Sequence, residues 1–323
     1  MKAIRYHRYG PPDVLEFTDA DMPAVGDDDV LVRVKAASVN PLDWHFMRGT
    51  PYLLRGQAGL SRPKDPRLGV DMAGVVTEVG RNVTGFRPGD EVFGAGTGAF
   101  AEYLSIRHDK AIAPKPASLT FEQAAAVPVA GFTALQALRD KGHVRPGSKV
   151  LINGASGGVG TFAVQVAKAL GTEVTAVCSA RNVATARSLG ADRVIDYTQE
   201  DFTQAARNQD VMLDIAGTRT LAERRRVLAR KGTLVFVGGP DGGAWLGPML
   251  GLVGMLMAGP FVSQRMVAFL AHNSKDDLVV LSGLITGGKV TPVIDRAYSL
   301  SEVPAAIRYL EEGHAQGKVV ISV

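Results

Sequence analysis

Three closely spaced glycines stand between an apolar run and a stretch with helical periodicity. Gly157, Gly158 and Gly160 follow the run Lys149 to Asn153 and precede the apolar stretch Thr161 to Leu170. A turn without side chains lets a pyrophosphate approach the backbone, and the free N–H groups of a helix N-terminus attract its negative charge. The pattern therefore predicts a strand, a glycine turn and a helix that together bind a dinucleotide.

The spacing departs from the plain Gly-x-Gly-x-x-Gly fingerprint, because Ala155 takes the place of its first glycine. The context still favours nucleotide binding, since a β-rich run precedes the turn, a helix follows it, and Glu173 to Cys178 supplies the next strand. A glycine turn with a purely structural role is the alternative. The residues predicted to contact the pyrophosphate are Ser156, Gly157, Gly158, Val159 and Gly160.

The end of the second strand indicates which nucleotide is bound. In a dinucleotide fold this end faces the adenosine ribose, and NAD-selective sites place a carboxylate there. Residues 178–182 contain no carboxylate, whereas Ser179 can donate a hydrogen bond to a 2′-phosphate and Arg181 can neutralise it. NADPH is therefore the expected cofactor. The alternative is that Arg181 is only the solvated start of a helix.

Length and composition limit the class of protein. A chain of 323 residues exceeds the usual single core, so two domains are expected. The net charge of +4 comes without a block of Lys and Arg, so no nucleic-acid partner is expected. The single cysteine, Cys178, excludes an internal disulfide and a multi-cysteine metal cage. With no apolar signal core at the N-terminus, a cytoplasmic location is the expectation.

One uncharged segment raises the question of a membrane. No residue from Gly242 to Gln264 is charged, and the segment is long enough to span a bilayer. Its six glycines and two prolines, Pro248 and Pro260, weigh against a spanning helix without deciding the matter. We expect a wall over an apolar substrate or a subunit contact, and no membrane association.

The elements that must position these residues change in character along the chain. Short strands with turn signals, such as the run with Val30, Val32 and Val34 on one face, predict a small β-barrel in the first third. From Thr120, which caps a predicted helix, helices alternate with buried strands in the pattern of a doubly wound parallel sheet. Short strands return near the C-terminus and are expected to rejoin the first domain. Strands are predicted at 149–153, 173–178, 193–195, 210–215, 232–238, 290–294, 297–300 and 318–323, and helices at 121–126, 181–189, 221–229 and 302–312.

At this point the chain resembles the medium-chain dehydrogenase/reductase superfamily, within its zinc-free quinone oxidoreductase branch, over nearly the whole length. The segments that carry the resemblance are 36–43, 131–134, the glycine turn through Gln165, 189–192, 195–197 and 317–320. The resemblance implies a GroES-like β-barrel catalytic domain formed by residues 1–125 and 266–323. It also implies a Rossmann NADPH-binding domain over residues 126–265, and a homodimer.

Members with catalytic zinc carry a cysteine where this chain has Asn40, and a Gly-His-Glu triplet where it has Gly69, Val70 and Asp71. The structural zinc loop of such members needs four cysteines, which this chain lacks. The six histidines form no i, i+4 pair. No bound metal is therefore expected.

The resemblance also assigns residues around the cofactor. It places Thr133 on the nicotinamide side and Tyr197 on the adenosine side. Lys318 is a weaker assignment, because it could simply cap the last strand. The strand ends assigned to the cofactor are Ala216, Gly217, Val237, Gly238 and Gly239.

Hydride transfer without a metal ion limits the class of substrate that can be reduced. Negative charge arrives on a conjugated oxygen, and neutral donors suit acceptors that delocalise it, namely quinones and α,β-unsaturated carbonyls. Asn40 is the first candidate donor and is also expected near the cofactor. Tyr52, on the following loop, is the second, with an ordinary packed aromatic as the alternative. Asp43 is expected to hold the loop, and the proton can come from water.

The sequence thus predicts an NADPH-dependent, metal-independent reductase of quinones or related conjugated carbonyls. One alternative is reduction of the carbon–carbon double bond of an alkenal or enone, with quinones as incidental substrates. A second alternative, of another class, is a nucleotide-binding structural or membrane-associated protein with little turnover.

Overall fold

The structure, a computed structural model, describes residues 1–237 and 263–323 of the chain. The chain divides into two compact units. The first comprises Met1–Phe132, Asn273–Thr286 and Pro292–Val323, and the second comprises Thr133–His272 and Gly287–Thr291.

The strands and helices are named in chain order. The strands are β1 (Lys2–Arg5), β2 (Glu16–Asp19), β3 (Asp29–Val39), β4 (Asp71–Val79), β5 (Glu91–Ala95), β6 (Tyr103–Arg107), β7 (Ile112–Pro114), β8 (Lys149–Asn153), β9 (Glu173–Cys178), β10 (Arg193–Asp196), β11 (Gln209–Asp214), β12 (Leu228–Phe236), β13 (Arg265–Ala268), β14 (Ile294–Ser299) and β15 (Lys318–Ser322). The α-helices are α1 (Pro41–Arg48), α2 (Arg55–Ala58), α3 (Phe121–Ala125), α4 (Pro128–Gln136), α5 (Gly158–Ala169), α6 (Val183–Ser188), α7 (Phe202–Ala205), α8 (Leu221–Val227), α9 (Lys275–Thr286) and α10 (Val303–Glu311).

The first unit is built on a seven-stranded sheet in the order β14-β15-β3-β4-β5-β7, with β6 also paired to β3. The alternating valines Val30, Val32 and Val34 of β3 are buried in its core, as their period of two predicts. The last strand, β15, pairs antiparallel with β3. The C-terminus therefore lies in the first unit.

The second unit holds six parallel strands in the order β10-β9-β8-β11-β12-β13. The first strand of this unit lies inside the sheet and the chain winds outward in both directions, which is the doubly wound order. The predicted parallel sheet is confirmed. Its sixth strand, β13, was missed because it follows the uncharged segment.

The domain bounds predicted from the sequence, 1–125 with 266–323 and 126–265, stay a prediction, and the two compact units divide a few residues later. Residues 126–132 belong to the first unit, where the Val129 N–H donates to the Asp71 carboxylate at 2.9 Å. Residues 266–272 belong to the second unit, because β13 pairs with β12. The hydrogen bond of Val129 and the pairing of β13 with β12 are tertiary contacts, which local sequence patterns do not report.

Local signals located several element ends well. Thr120 caps the start of α3, as expected, and Gln123 completes a capping box with it. The helix after the glycine turn begins at Gly158 rather than Thr161. The predicted strand at 290–294 is wrong, because β14 begins only at Ile294.

None of the helices within residues 1–237 and 263–323 is long and apolar enough to cross a bilayer. Apart from Ser263 and Gln264, the uncharged segment lies outside the described residues.

Candidate functional site

The glycine turn has the geometry that a close ligand requires. Gly157 is the N-cap of α5, a helix of 12 residues. A Cβ added to Gly160 would lie 2.1 Å from the Gly154 carbonyl oxygen, so only glycine lets the helix pack against the turn. A Cβ on Gly157 would meet nothing closer than 3.8 Å. Since protein packing does not require glycine at position 157, the open space there fits an approaching pyrophosphate.

The tight turn itself is made by Gly154, which the predicted site left out. Its φ of +90° favours glycine, and its N–H donates to the Val177 carbonyl oxygen at 3.2 Å. Ala155, taken in the sequence as the replaced first glycine, is fully buried. The glycine that starts the turn therefore stands one residue before the position that the fingerprint gives it. Gly154 directly precedes Ala155 in the sequence, so this signal was available there.

The residues predicted at the adenosine end lie around the ends of β9 and β10. Arg181 is exposed in a 3-10 turn, Ala180–Asn182, that directly follows Ser179. The Ser179 hydroxyl accepts a hydrogen bond from the Asn182 amide at 3.1 Å. Tyr197 is 55% exposed. An exposed arginine and an exposed ring at one sheet edge fit recognition of a phosphorylated adenosine.

The loops after β8 and β11 lie against each other. A Cβ added to Gly154 would lie 3.3 Å from the Ala216 backbone nitrogen. The Val237 N–H donates to the Asp214 carbonyl oxygen at 3.0 Å, which places the end of β12 beside the same loop. Gly238 and Gly239 lie outside the described residues. Ligands of open α/β sheets bind at this carboxyl edge.

Thr133, assigned to the nicotinamide side, lies in α4 and is buried with 7% exposure.

A buried polar cluster forms in the first unit where β15, β3 and β4 lie side by side. Register pairs Val39 with Val319, and Ser38 with Asp71. Asn40, which follows β3, therefore meets Lys318 at the start of β15. The polar cluster consists of Ser38, Asn40, Asp71 and Lys318, each at most 3% exposed.

The hydrogen bonds of the polar cluster converge on Asp71 and Lys318. The Lys318 ammonium donates to Asn40 Oδ1 at 2.6 Å and lies 3.2 Å from Asp71 Oδ2. Asp71 Oδ2 also accepts from the Ser38 hydroxyl at 2.8 Å and from Asn40 Nδ2 at 2.9 Å. The Lys318 side chain is thus part of an ionic network, beyond a cap on the last strand.

Asn40, the first candidate donor, is hydrogen-bonded within the polar cluster. Its Nδ2 donates to Asp71 and, at 3.4 Å, to the Ser38 carbonyl oxygen, while its Oδ1 accepts from Lys318. The amide is engaged on both sides within the polar cluster. Sequence reasoning missed Asp71 and Ser38, because their partners lie on other strands.

Asp43 lies beside the polar cluster and holds the loop, as expected. Its carboxylate accepts from the Asn40 N–H at 2.7 Å and completes the capping box of α1. Burial, with a smaller contribution from nearby Asp71, raises the pKa of Asp43 to about 7. A cavity of about 250 Å³ in the first unit is lined by Asp43, Phe46, Gly69, Val70 and other residues. The cavity is a candidate acceptor pocket.

Tyr52, the second predicted donor, lies in the 3-10 helix Tyr52–Leu54. The guanidinium carbon of Arg55 lies 4.5 Å from the centre of its ring and 4.5 Å from that of Tyr9. The structure therefore places Tyr52 in an aromatic and cationic stack, outside the polar cluster.

The donor set of the polar cluster does not fit zinc. It offers one carboxylate, an amide, a hydroxyl and an ammonium, and an ammonium has no lone pair to give a metal. In the part of the chain that the structure describes, no group of three or more His, Cys, Asp or Glu side chains is placed to hold a metal ion.

Two family profiles match the chain. "Alcohol dehydrogenase GroES-like domain" matches residues 26–117, and "Zinc-binding dehydrogenase" matches residues 189–321. The mouse (Mus musculus) protein "NAD(P)H oxidoreductase RTN4IP1, mitochondrial" is 36% identical over 361 residues, covering 100% of this chain and 89% of the relative. The Arabidopsis thaliana protein "NADPH-dependent alkenal/one oxidoreductase, chloroplastic" is 33% identical over 340 residues, covering 99% of this chain and 79% of the relative.

A solved structure, Escherichia coli quinone oxidoreductase complexed with NADPH, matches with a TM-score of 0.85 and 27% identity, covering all of both chains. The fold and these matches define an NAD(P)H-dependent oxidoreductase with a GroES-like domain and a Rossmann domain. The chain belongs to the medium-chain dehydrogenase/reductase superfamily, in its zinc-free quinone oxidoreductase branch.

These findings confirm the predicted fold class, family, enzyme class and nicotinamide cofactor. Cytoplasmic location remains a prediction, since the mouse relative is named a mitochondrial protein. The homodimer also remains a prediction.

Proposed function

We propose that this chain transfers a hydride from NADPH to a quinone or a related conjugated carbonyl without a metal ion. The observation that carries the proposal is the buried Lys318 ammonium, held by Asn40 and Asp71 at 2.6 and 3.2 Å. It supplies a fixed positive charge next to the positions where zinc-dependent members carry their metal ligands.

Within the polar cluster, the Lys318 ammonium is a better donor to a developing oxyanion than the Asn40 amide. It has three N–H bonds, and Asn40 and Asp71 accept two of them. The third stabilises the oxygen on which negative charge develops, and burial strengthens that interaction. Asn40 then acts as the residue that orients Lys318. Because Asp71 balances the charge of the ammonium, the site favours acceptors that delocalise the incoming electrons.

The second unit offers the groups that bind the cofactor. The pyrophosphate would contact the turn at Ser156, Gly157, Gly158, Val159 and Gly160. When bound, the nicotinamide supplies the hydride. Thr133 would contact the nicotinamide part, and the strand ends at Ala216, Gly217 and Val237 would line its path.

NADPH rather than NADH is proposed because of the residues after β9. Ser179 and Arg181 offer a hydroxyl and a guanidinium to a 2′-phosphate, and residues 178–182 contain no carboxylate to repel it. Tyr197, exposed after β10, is the proposed adenine contact. The NADPH of the Escherichia coli structure supports the same choice.

Reduction of the carbon–carbon double bond of an alkenal or enone is the second candidate. The Arabidopsis relative is named an alkenal/one oxidoreductase, a name that gives the same class of substrate. Hydride addition to the β-carbon leaves an enolate, and the same ammonium would stabilise its oxygen. The two candidates therefore share a site and differ in product.

One assay separates them. The purified protein is incubated with NADPH or NADH and with 1,4-benzoquinone, 9,10-phenanthrenequinone, an alkenal or a simple aldehyde, with and without a metal chelator. We expect NADPH oxidation with the quinones, unaffected by the chelator, and little with the aldehyde. A saturated carbonyl as the main product would favour the second candidate. No oxidation with any acceptor would overturn both.

A further inference from the structure

Three neighbouring strands of the second unit end at the same level. Asn153 on β8, Asp214 on β11 and Phe236 on β12 are register partners. The glycine turn follows Asn153 directly, and the loop with Ala216 and Gly217 follows Asp214. Side chains at this level can therefore set the shape of both loops.

Asp214 and Arg224 form a buried ion pair around Gly217. Asp214 Oδ1 accepts from Asn153 Nδ2 at 2.7 Å and from the Gly217 N–H at 3.0 Å. Arg224, reaching from α8, places Nε 2.6 Å from Asp214 Oδ2 and donates from Nη2 to the Gly217 carbonyl oxygen at 2.9 Å. Both backbone polar groups of Gly217 are thus held by the ion pair.

The guanidinium of Arg224 also lies beside an aromatic ring. Its central carbon lies 5.0 Å from the centre of the Phe236 ring, and Asp214 is fully buried. Lysine could reach Asp214 but could not bond Gly217 with a second donor in the same plane. The pair is therefore specific for arginine.

Stability alone does not explain this ion pair. Removing two charges from water is costly, and apolar residues of similar volume often stabilise a fold as well or better. The distinctive result of the pair is geometric. It fixes Gly217 at a φ of +66° in a loop whose Ala216 abuts the glycine turn.

We propose that Asp214 and Arg224 are positioning residues for the nucleotide, which hold the Gly217 loop in the conformation that binds it. The proposal rests on the proposed cofactor site. Neither side chain needs to touch the cofactor, since they act through the backbone of Gly217.

The test compares Arg224→Met with Arg226→Met. Both substitutions remove one positive charge from α8, but Arg226 is exposed. Two quantities are measured: the Kd for NADPH by titration, and hydrogen exchange of the Gly217 amide in the nucleotide-free protein. We expect Arg224→Met to raise the Kd between about threefold and thirtyfold and to speed exchange at Gly217. Arg226→Met should change neither.

A folded Arg224→Met protein with wild-type Kd, whether or not exchange at Gly217 changes, would overturn the proposal. If Arg224→Met does not fold, Arg224→Lys keeps the charge beside Asp214 and loses the bond to Gly217. Its Kd should rise in the same direction, and an unchanged Kd overturns the proposal. If the wild-type protein binds NADH instead, the titrations use NADH. If hydrogen exchange at Gly217 is unchanged in the folded variant, the positioning role is refuted. If the wild-type protein binds no nucleotide, the proposed function is refuted instead, and the exchange measurement still tests the positioning role.

Discussion

Lys318 Nζ lies 2.6 Å from Asn40 Oδ1, although 278 residues separate the two along the chain. The contact exists because β15 pairs with β3, so that the start of one strand meets the end of the other. A cation is thereby buried at the point where zinc-dependent relatives carry a metal ligand.

Replacing Lys318 by Met should abolish most quinone reduction. Loss of one preorganised donor to a developing oxyanion lowers kcat by about 100- to 1000-fold. The single variant also leaves Asp71 charged and buried, which costs about 3–5 kcal/mol of stability. Lys318→Met combined with Asp71→Asn removes both charges, so it should recover stability without recovering turnover. Steady-state kinetics and urea unfolding measure the two effects, and the exposed Lys110→Met serves as control. Turnover restored in the double variant would refute the electrophilic role.

Replacing Asn40 by Ala should lower turnover with a quinone by roughly ten- to a thousandfold. Because Asn40 acts by orienting Lys318, its effect and that of Lys318→Met should not add. A double-mutant cycle on kcat measures the coupling. Additive losses would mean that Asn40 serves the substrate by itself, and unchanged turnover would make it a packing residue.

Local sequence patterns were sufficient for some of these residues and not for others. The glycine turn, the capping box at Thr120 and most parallel strands follow from neighbouring residues. The polar cluster does not, because Asp71 and Lys318 become partners only through strand pairing. Arg224 lies in a run of three arginines, a pattern typical of a solvated helix face, yet it is buried. Such residues acquire their roles from tertiary contacts.

Replacing Arg181 by Ala should shift cofactor preference from NADPH toward NADH. The guanidinium can pair with the 2′-phosphate, which NADH lacks, and a hydrogen bond to a charged group contributes about 1.5–3 kcal/mol. The KM for NADPH should therefore rise by roughly ten- to a hundredfold while that for NADH changes little. Arg187, exposed on α6, provides the matched control in Arg187→Ala. If the ratio of the KM for NADPH to the KM for NADH equals that of the wild type, Arg181 does not recognise the 2′-phosphate.

Asp43 should make the stability of the first unit depend on pH. Burial raises its pKa from 3.8 to about 7, so the folded state binds the proton more tightly than the unfolded state. The stabilisation is therefore complete below about pH 4 and is lost as the pH rises to about 7. Asp43→Asn removes this dependence. Urea unfolding across that pH range gives the free energy of unfolding of both proteins. The value for the wild type should fall, relative to that of the variant, as the pH rises. A constant difference would contradict the raised pKa.

Cys178 should react with a thiol reagent only when the second unit opens. It is the single cysteine, it is 1% exposed, and burial raises its pKa to about 11, so little reactive thiolate is present near neutral pH. Labelling with an aromatic disulfide should therefore be slow in buffer and complete in denaturing urea. A bound nucleotide stabilises the closed state, so NADPH should slow labelling further, and NADH at the same concentration should slow it less. Arg181→Ala should remove that difference, because Arg181 is the proposed partner of the 2′-phosphate that NADH lacks. Equal protection by both nucleotides in the wild type would contradict the proposed selectivity, while fast labelling of the native protein would contradict the burial of the thiol.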